Sequence, residues 1–321
     1  MSRRTWLLFA AMCVIWGIPY LLIRVAVRDL TPAVLVFSRT ALGGLVLLPV
    51  ALRAGGFRQL LPHWRALLAF TVAELAIPWL LLSDAETTLS SAASGLLVAA
   101  VPLVGVLIAL LVGGGERVDA RRLIGLLVGF AGVACLVGLD LGQVDPLALF
   151  EVAVVVVGYA LGPMIFAQRL STLPGAAVIS SSLLLTAVGY LPVAIIQRPR
   201  HVHADALASV LVLGLLCTAL AFILFFALIA EIGPSRATVI TYLNPAVAVV
   251  LGSVFLSERI TVGMAVGFPL ILGGCVLGAR PPRPRGQSML TGPCGVSNPA
   301  TSTPVSSSSA SLHSTSTPSS G

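Results

Sequence analysis

Apolar runs of about twenty residues, separated by short polar or basic breaks, fill the chain from its start to about residue 280. A helix of that length crosses a hydrocarbon core about 30 Å thick. The pattern predicts spans at 5–27, 32–52, 66–83, 93–113, 121–139, 147–168, 175–197, 206–230, 236–256 and 262–280. The first run follows Arg3 and Arg4, as a secretory leader would. It is too long for one and lacks a clean small-x-small cleavage site, so it is expected to remain as the first helix. Beyond 280 the chain becomes rich in Pro, Ser, Thr and Gly. Such a segment has too little apolar surface to offset its ordering entropy, and 281–321 is expected to be a disordered tail.

The apolar pattern also repeats. Residues 102–132 read PLVGVLIALLVGGGERVDARRLIGLLVGFAG, and 245–274 read PAVAVVLGSVFLSERITVGMAVGFPLILGG. In each copy a proline leads an apolar run, a Glu-Arg pair follows, and glycines return at matched distances. Glu116 to Gly125 and Glu258 to Gly267 are both nine apart, and Gly132 and Gly274 each lie seven further on. One single-residue gap aligns the prolines. Weaker matches join Arg28 and Pro32 to Arg169 and Pro174, and Leu48-Pro49-Val50 to Leu191-Pro192-Val193. Five spans per half is an odd number, so the second half must enter the bilayer from the opposite side. The expected fold is an all-α polytopic membrane protein of ten transmembrane helices in two inverted five-helix repeats, 1–144 and 145–280.

Composition agrees with lipid as the solvent. The chain is 57% hydrophobic and 10% charged, against about 25% charged in soluble domains. A net charge of +7 would suggest nucleic acid in a soluble protein; here it is read as loop arginines that fix orientation, with no nucleic-acid partner. With the N-terminus in the cytoplasm, Arg3, 4, 53, 58, 65, 117, 121, 122, 169, 236, 280, 283 and 285 lie inside, and Arg28, 198, 200 and 259 outside. Both termini are therefore expected in the cytoplasm. The five cysteines form no CxxC, and His201 and His203 lack a third ligand nearby, so no metal or cofactor is expected.

Within this apolar frame a few polar groups stand out. Glu74 falls near the middle of span three, where a carboxyl costs on the order of 3 kcal/mol. Two readings stand: a proton or substrate-ammonium site, or a neutral acid hydrogen-bonded to a neighbouring helix. Arg39 lies deep in span two. It pairs with Glu74, holds an anionic substrate group, or snorkels to the surface. Glu151, nearer a span end, ranks below both. Trp16, Tyr20, Trp79, Tyr159 and Tyr242 are candidate pocket walls, with Asn244 as a polar contact; core packing is the competing reading. Pro102 and Pro245 fall near the middle of spans four and nine, where an interior proline frees the carbonyl four residues back, on Val98 and Thr241. They are read as symmetry-related kinks beside a cavity, or as packing kinks alone. Glycines 125, 129, 263 and 267 have GxxxG spacing, suited to close packing within the chain or to a homodimer. The Glu-Arg pairs are expected to cap or pin helix-to-helix loops. There is no GxxxxGK[ST] loop for an ATP-driven motor, and no convergent catalytic set.

These features together resemble the EamA-type family of the drug/metabolite transporter superfamily. The resemblance rests on Trp16-Gly17, on Pro32 with Arg39, and on SSAASGLLVAAVPLVGVLIALLVGGGER (90–117) with its twin GPSRATVITYLNPAVAVVLGSVFLSER (233–259). It implies a central substrate cavity, alternating access and a bacterial inner membrane, commonly with export of amino acids or related metabolites. The expectation is a secondary transporter for a small amino-acid-like or amphipathic metabolite, not an enzyme, with a proton as a possible coupling ion. The alternative is a non-transporting scaffold or receptor.

Overall fold

The computed structural model describes residues 2–111, 120–139, 145–233 and 238–278. All belong to one unit, Met1–Pro281. The expected tail and the first Glu-Arg pair lie outside the described residues.

Every described element is helical or a turn. Among the described residues seven helices are long and apolar enough to cross a membrane: α1 (Arg3–Ala26), α2 (Pro32–Arg53), α3 (Phe57–Ala85), α4 (Ser91–Leu111), α6 (Pro146–Leu170), α7 (Gly175–Ile196) and α8 (Ala204–Ile232). Shorter apolar helices are α5 (Ala120–Gly138), α9 (Asn244–Phe255) and α10 (Val262–Gly278). Exposed Leu, Ile, Val and Phe side chains stud their outer faces, as expected where lipid replaces water.

The helices pack in pairs that respect the sequence repeat. α2 packs on α7, α4 on α9 and α5 on α10, each helix against its own counterpart, while α1 packs on α8 as α6 packs on α3. Counterparts run antiparallel. On α2 and α7, Thr31 Oγ1 donates to Gln197 Oε1 at 2.7 Å, Ser180 Oγ donates to Gly44 O at 3.2 Å, and Gly56 meets Pro174 and Ala177. On α5 and α10 the glycines allow backbone contact. A Cβ at Gly132 would lie 2.8 Å from Gly267 O, and one at Gly267 would lie 2.7 Å from Gly132 O. The glycine stripe is thus occupied within the chain.

Breaks recur at matched positions. α4 is interrupted at Ala99–Ala100, and a 3-10 turn, Thr238–Tyr242, with Leu243 precedes α9. Pro102 and Pro245 therefore occupy the first turn of a helical segment, not a helix interior. This corrects the expected interior kinks. A ring without an N–H is tolerated where no intrahelical acceptor is needed, so the chain breaks ahead of each proline. At the α4 break the Cys275 thiol donates to Ala99 O at 3.5 Å. Widened π-type turns sit in α3 (Thr71–Ala76) and in its counterpart α8 (Leu215–Leu220), with a third in α6 (Phe166–Leu170).

Both ends of the bundle are tied across the halves. At one end His203 donates its backbone N–H to Asp29 Oδ2 at 2.7 Å, and its ring Nδ1 lies 2.8 Å from the same oxygen. Glu258 accepts from Ser91 N at 2.8 Å, Ala92 N at 3.0 Å and Ser91 Oγ at 2.9 Å, so its carboxylate caps α4. At the opposite end Arg4 pairs with Glu231 at 3.1 Å, and Thr5 donates to the same carboxylate at 2.5 Å.

Candidate functional site

Arg39 is the centre of the polar interior. Its helix, α2, is packed on both faces, against α7 and α8, and only 8% of the residue is exposed. The guanidinium lies 3.7 Å from the Trp79 ring centroid, a cation–π contact strengthened by exclusion from water. Arg39 Nε donates to Thr218 Oγ1 at 3.0 Å. The widened turn of α8 sets that acceptor: Thr218 Oγ1 donates to Leu213 O, five residues back, at 2.8 Å. Widened turns commonly re-aim side chains at functional sites.

Four of the residues singled out from sequence meet here: Arg39, Tyr20, Trp79 and Tyr159. Tyr20 and Tyr159 both lie within electrostatic reach of Arg39, and the Trp79 indole is within hydrogen-bonding reach of the Tyr159 hydroxyl. Trp16 flanks the group, packed against Phe225 at 4.7 Å and Phe222 at 5.9 Å between ring centroids. Tyr242 belongs to a different apolar cluster, formed with α4, α5 and α10. Asn244 has a structural task. In the amide orientation that satisfies both ends, its nitrogen donates to Cys13 O at 3.1 Å and Ile240 O at 2.9 Å, holding the break before α9 against α1.

Of the readings open for Arg39, the ion pair with Glu74 is not formed. Arg39 is directed to Trp79 and Thr218, whereas Glu74 sits in the widened turn of α3, pressed onto Gly162 of α6. Its Oε2 is buried without a hydrogen-bond partner. Glu74 lies within electrostatic reach of Tyr159, which links it to the Arg39 group.

The acid within electrostatic reach of Arg39 is Glu86, which the sequence reading passed over. It follows the last residue of α3, is fully buried, and has neither carboxyl oxygen hydrogen-bonded. Arg24 of α1 donates to its backbone carbonyl, and Arg24, Arg39 and Glu258 surround it electrostatically. An acid with both oxygens buried and unpartnered carries a large desolvation cost. The available signal was Arg24 in the matching final turn of span one. In SDAETTLSS the acid looks like an ordinary solvated loop residue. A carboxyl pair lies two residues before it in the chain, with Glu151 of α6 within hydrogen-bonding reach of Asp84 of α3.

The site is closed on itself. Tyr20 is 8% exposed, Trp79 7% and Glu86 0%. Its cation and its acids come from α2 and α3, and its supporting groups from α1, α6 and α8, so both sequence halves build it. The arrangement offers a fixed cation, a buried acid and aromatic walls. It can bind a small molecule carrying both charges, or exchange a proton for one.

Comparison with known proteins adds a family and a fold. A sequence model described as the EamA-like transporter family matches residues 4–138 and again 147–279. A Bacillus subtilis (strain 168) protein named "Uncharacterized transporter YvbV" is 26% identical over 276 residues, 84% of this chain and 90% of the relative. The Escherichia coli (strain K12) protein "Uncharacterized inner membrane transporter YedA" is 25% identical over 254 residues, 76% of this chain and 80% of the relative. A solved crystal structure covering 87% of this chain and 97% of its own superposes with a TM-score of 0.62 at 22% identity, a likeness of fold alone.

Proposed function

We propose that this chain, which belongs to the EamA-like transporter family, is a secondary active transporter that exports a small amino-acid-like or amphipathic metabolite across a bacterial inner membrane. All ten helices span the bilayer in this reading, as two inverted halves of five, 1–144 and 145–280, with both termini in the cytoplasm. Support comes from the antiparallel packing of counterpart helices and from the arginine distribution between loops. The chain works as a carrier and not as an enzyme.

The carrying observation is the buried Arg39–Trp79 contact, with the buried acid Glu86 within electrostatic reach of Arg39, among residues of both halves. In this reading Arg39 holds the anionic end of the substrate and Glu86 its cationic end, while Tyr20, Trp79 and Tyr159 enclose the body. Glu74 exchanges a proton as the halves rock and expose the site to each side in turn. The physical reason is that Glu74 Oε2 and both Glu86 oxygens are buried without a partner from the protein, so a ligand or proton would satisfy them.

The test is efflux from proteoliposomes loaded with an equimolar mixture of the twenty amino acids, read by mass spectrometry. Wild-type vesicles should lose at least one class of solute faster than protein-free vesicles. Arg39→Gln and Glu86→Gln should each slow that loss by roughly ten- to a hundredfold, the range for removing a charge-assisted contact. Glu74→Gln should abolish the dependence of efflux on external pH. Wild-type vesicles that retain every solute would exclude the amino-acid-like substrate, and full rates in both charge variants would exclude the site.

A further inference from the structure

A cavity of about 430 Å³ opens at the junction of α3 and α6, away from the Arg39 group. Its polar rim holds His63, Arg65, Gln168 and Arg169, and its floor includes Ala69 and Ile165. The volume falls within the range of small-molecule sites, and the two kinds of lining are segregated. Arg65 and Arg169 are exposed, and among the described residues neither has an ion-pair partner. Two uncompensated guanidinium groups beside one cleft make a site for a phosphate.

The surroundings identify which phosphate. Trp64 is 55% exposed, and Arg65 lies 5.4 Å from its ring; exposed tryptophans of this kind mark the headgroup level of a bilayer. Below the rim the surface is apolar, with exposed Leu68 and Val72 on α3 continuing away from the arginines. The Phe70–Phe166 ring contact, 5.7 Å between centroids, holds the two helices together beside the cleft. Charge at headgroup depth over an apolar wall matches a molecule that is anionic at one end and hydrocarbon at the other. We infer that this cleft is a binding site for an anionic glycerophospholipid of the surrounding leaflet, with its phosphate between Arg65 and Arg169 and an acyl chain along the α3 surface.

The experiment titrates phosphatidylglycerol and phosphatidylcholine of matched acyl chains onto the full chain in detergent, with bound lipid counted by native mass spectrometry. Phosphatidylglycerol should be retained and phosphatidylcholine lost at the same concentration. Arg65→Gln with Arg169→Gln should weaken phosphatidylglycerol retention roughly thirtyfold, about fivefold for each arginine at a membrane surface. The control pair Arg53→Gln with Arg58→Gln removes equal charge from the same end and should leave retention unchanged. Ala69→Trp, which fills the floor and keeps both charges, should lower retention too. Equal losses in the two arginine pairs would reduce the effect to general surface charge and overturn the site. Equal retention of both lipids would overturn it, as would glycerol 3-phosphate displacing phosphatidylglycerol at equal concentration, since the acyl contact would then contribute nothing.

Discussion

Asp29 and His203 show how a single polar pair ties distant segments at the bundle's end. The His203 ring hydrogen bond to Asp29 holds the imidazole above its ordinary pKa, and the same contact, led by the His203 backbone N–H, holds the carboxyl below its own. The histidine's contribution to stability is complete below its ordinary pKa, about 6.5, and is lost as pH rises through its raised folded value. The aspartate's contribution is complete above about 3.9 and is lost as pH falls through its lowered folded value. The pair therefore works best in the weakly acidic window between those values. His203→Gln should lower the thermal midpoint more at pH 5.5 than at pH 9, and a midpoint difference independent of pH would exclude the charged pair. At this scale sequence was a partial guide. Arg39, Tyr20, Trp79 and Tyr159 were legible because polar or amphipathic groups in long apolar runs need a reason to be there. Glu86 was not, because burial of a loop acid depends on Arg24, Arg39 and Glu258 closing over it from other elements. The His203 contact was not legible either, since its partner lies 174 residues away.

At the scale of elements, hydropathy located the helices and the repeat located their symmetry, but neither gave the helices' internal irregularity. The widened turns in α3 and α8 have no residue signature in the chain. They arise where packing on other helices favours an extra residue per turn, and that choice is tertiary. The glycine stripe was legible, and its partner was not; the structure places α10 on α5. This contact makes a sharp prediction. A valine at Gly132 would bring its Cβ 2.7 Å from Ile271 N and 2.8 Å from Leu270 Cβ, so α5 and α10 must separate. Overpacking of this kind costs about 1–3 kcal/mol. Gly132→Val should lower the midpoint of thermal unfolding, read with a thiol-reactive dye that reports exposure of buried Cys13, Cys217 and Cys275. Gly189, with nothing within 4 Å of a Cβ, is the matched control, and Gly189→Ala should unfold at or above the wild-type temperature. Equal midpoints for the wild type and Gly132→Val would mean that the two helices do not touch as described.

At the scale of the molecule, in the proposed reading, ties at both ends and a closed centre correspond to a conformation with neither face open. Asp29 with His203 and Ser91 with Glu258 join the halves at one end, and Arg4 and Thr5 with Glu231 join them at the other. A carrier that alternates must release each set in turn, whereas a scaffold has no need to release either. Each tie is small, because an exposed ion pair or a single cap contributes little by itself. Ties this weak suit an equilibrium between states a few kcal/mol apart. Replacing Asp29 and His203 by cysteines and joining them with a short thiosulfonate cross-linker should hold that end shut. Efflux of the amino-acid mixture from proteoliposomes should then stop, and reduction of the linker should restore it. The pair at the opposite end, Thr5→Cys with Glu231→Cys, should behave alike, because blocking either opening interrupts the same cycle. Binding to the Arg39 group would respond differently, with one cross-link admitting substrate from one face only. Efflux that continues at full rate through both cross-links would mean that the halves do not move against each other, and a fixed pathway would replace alternating access.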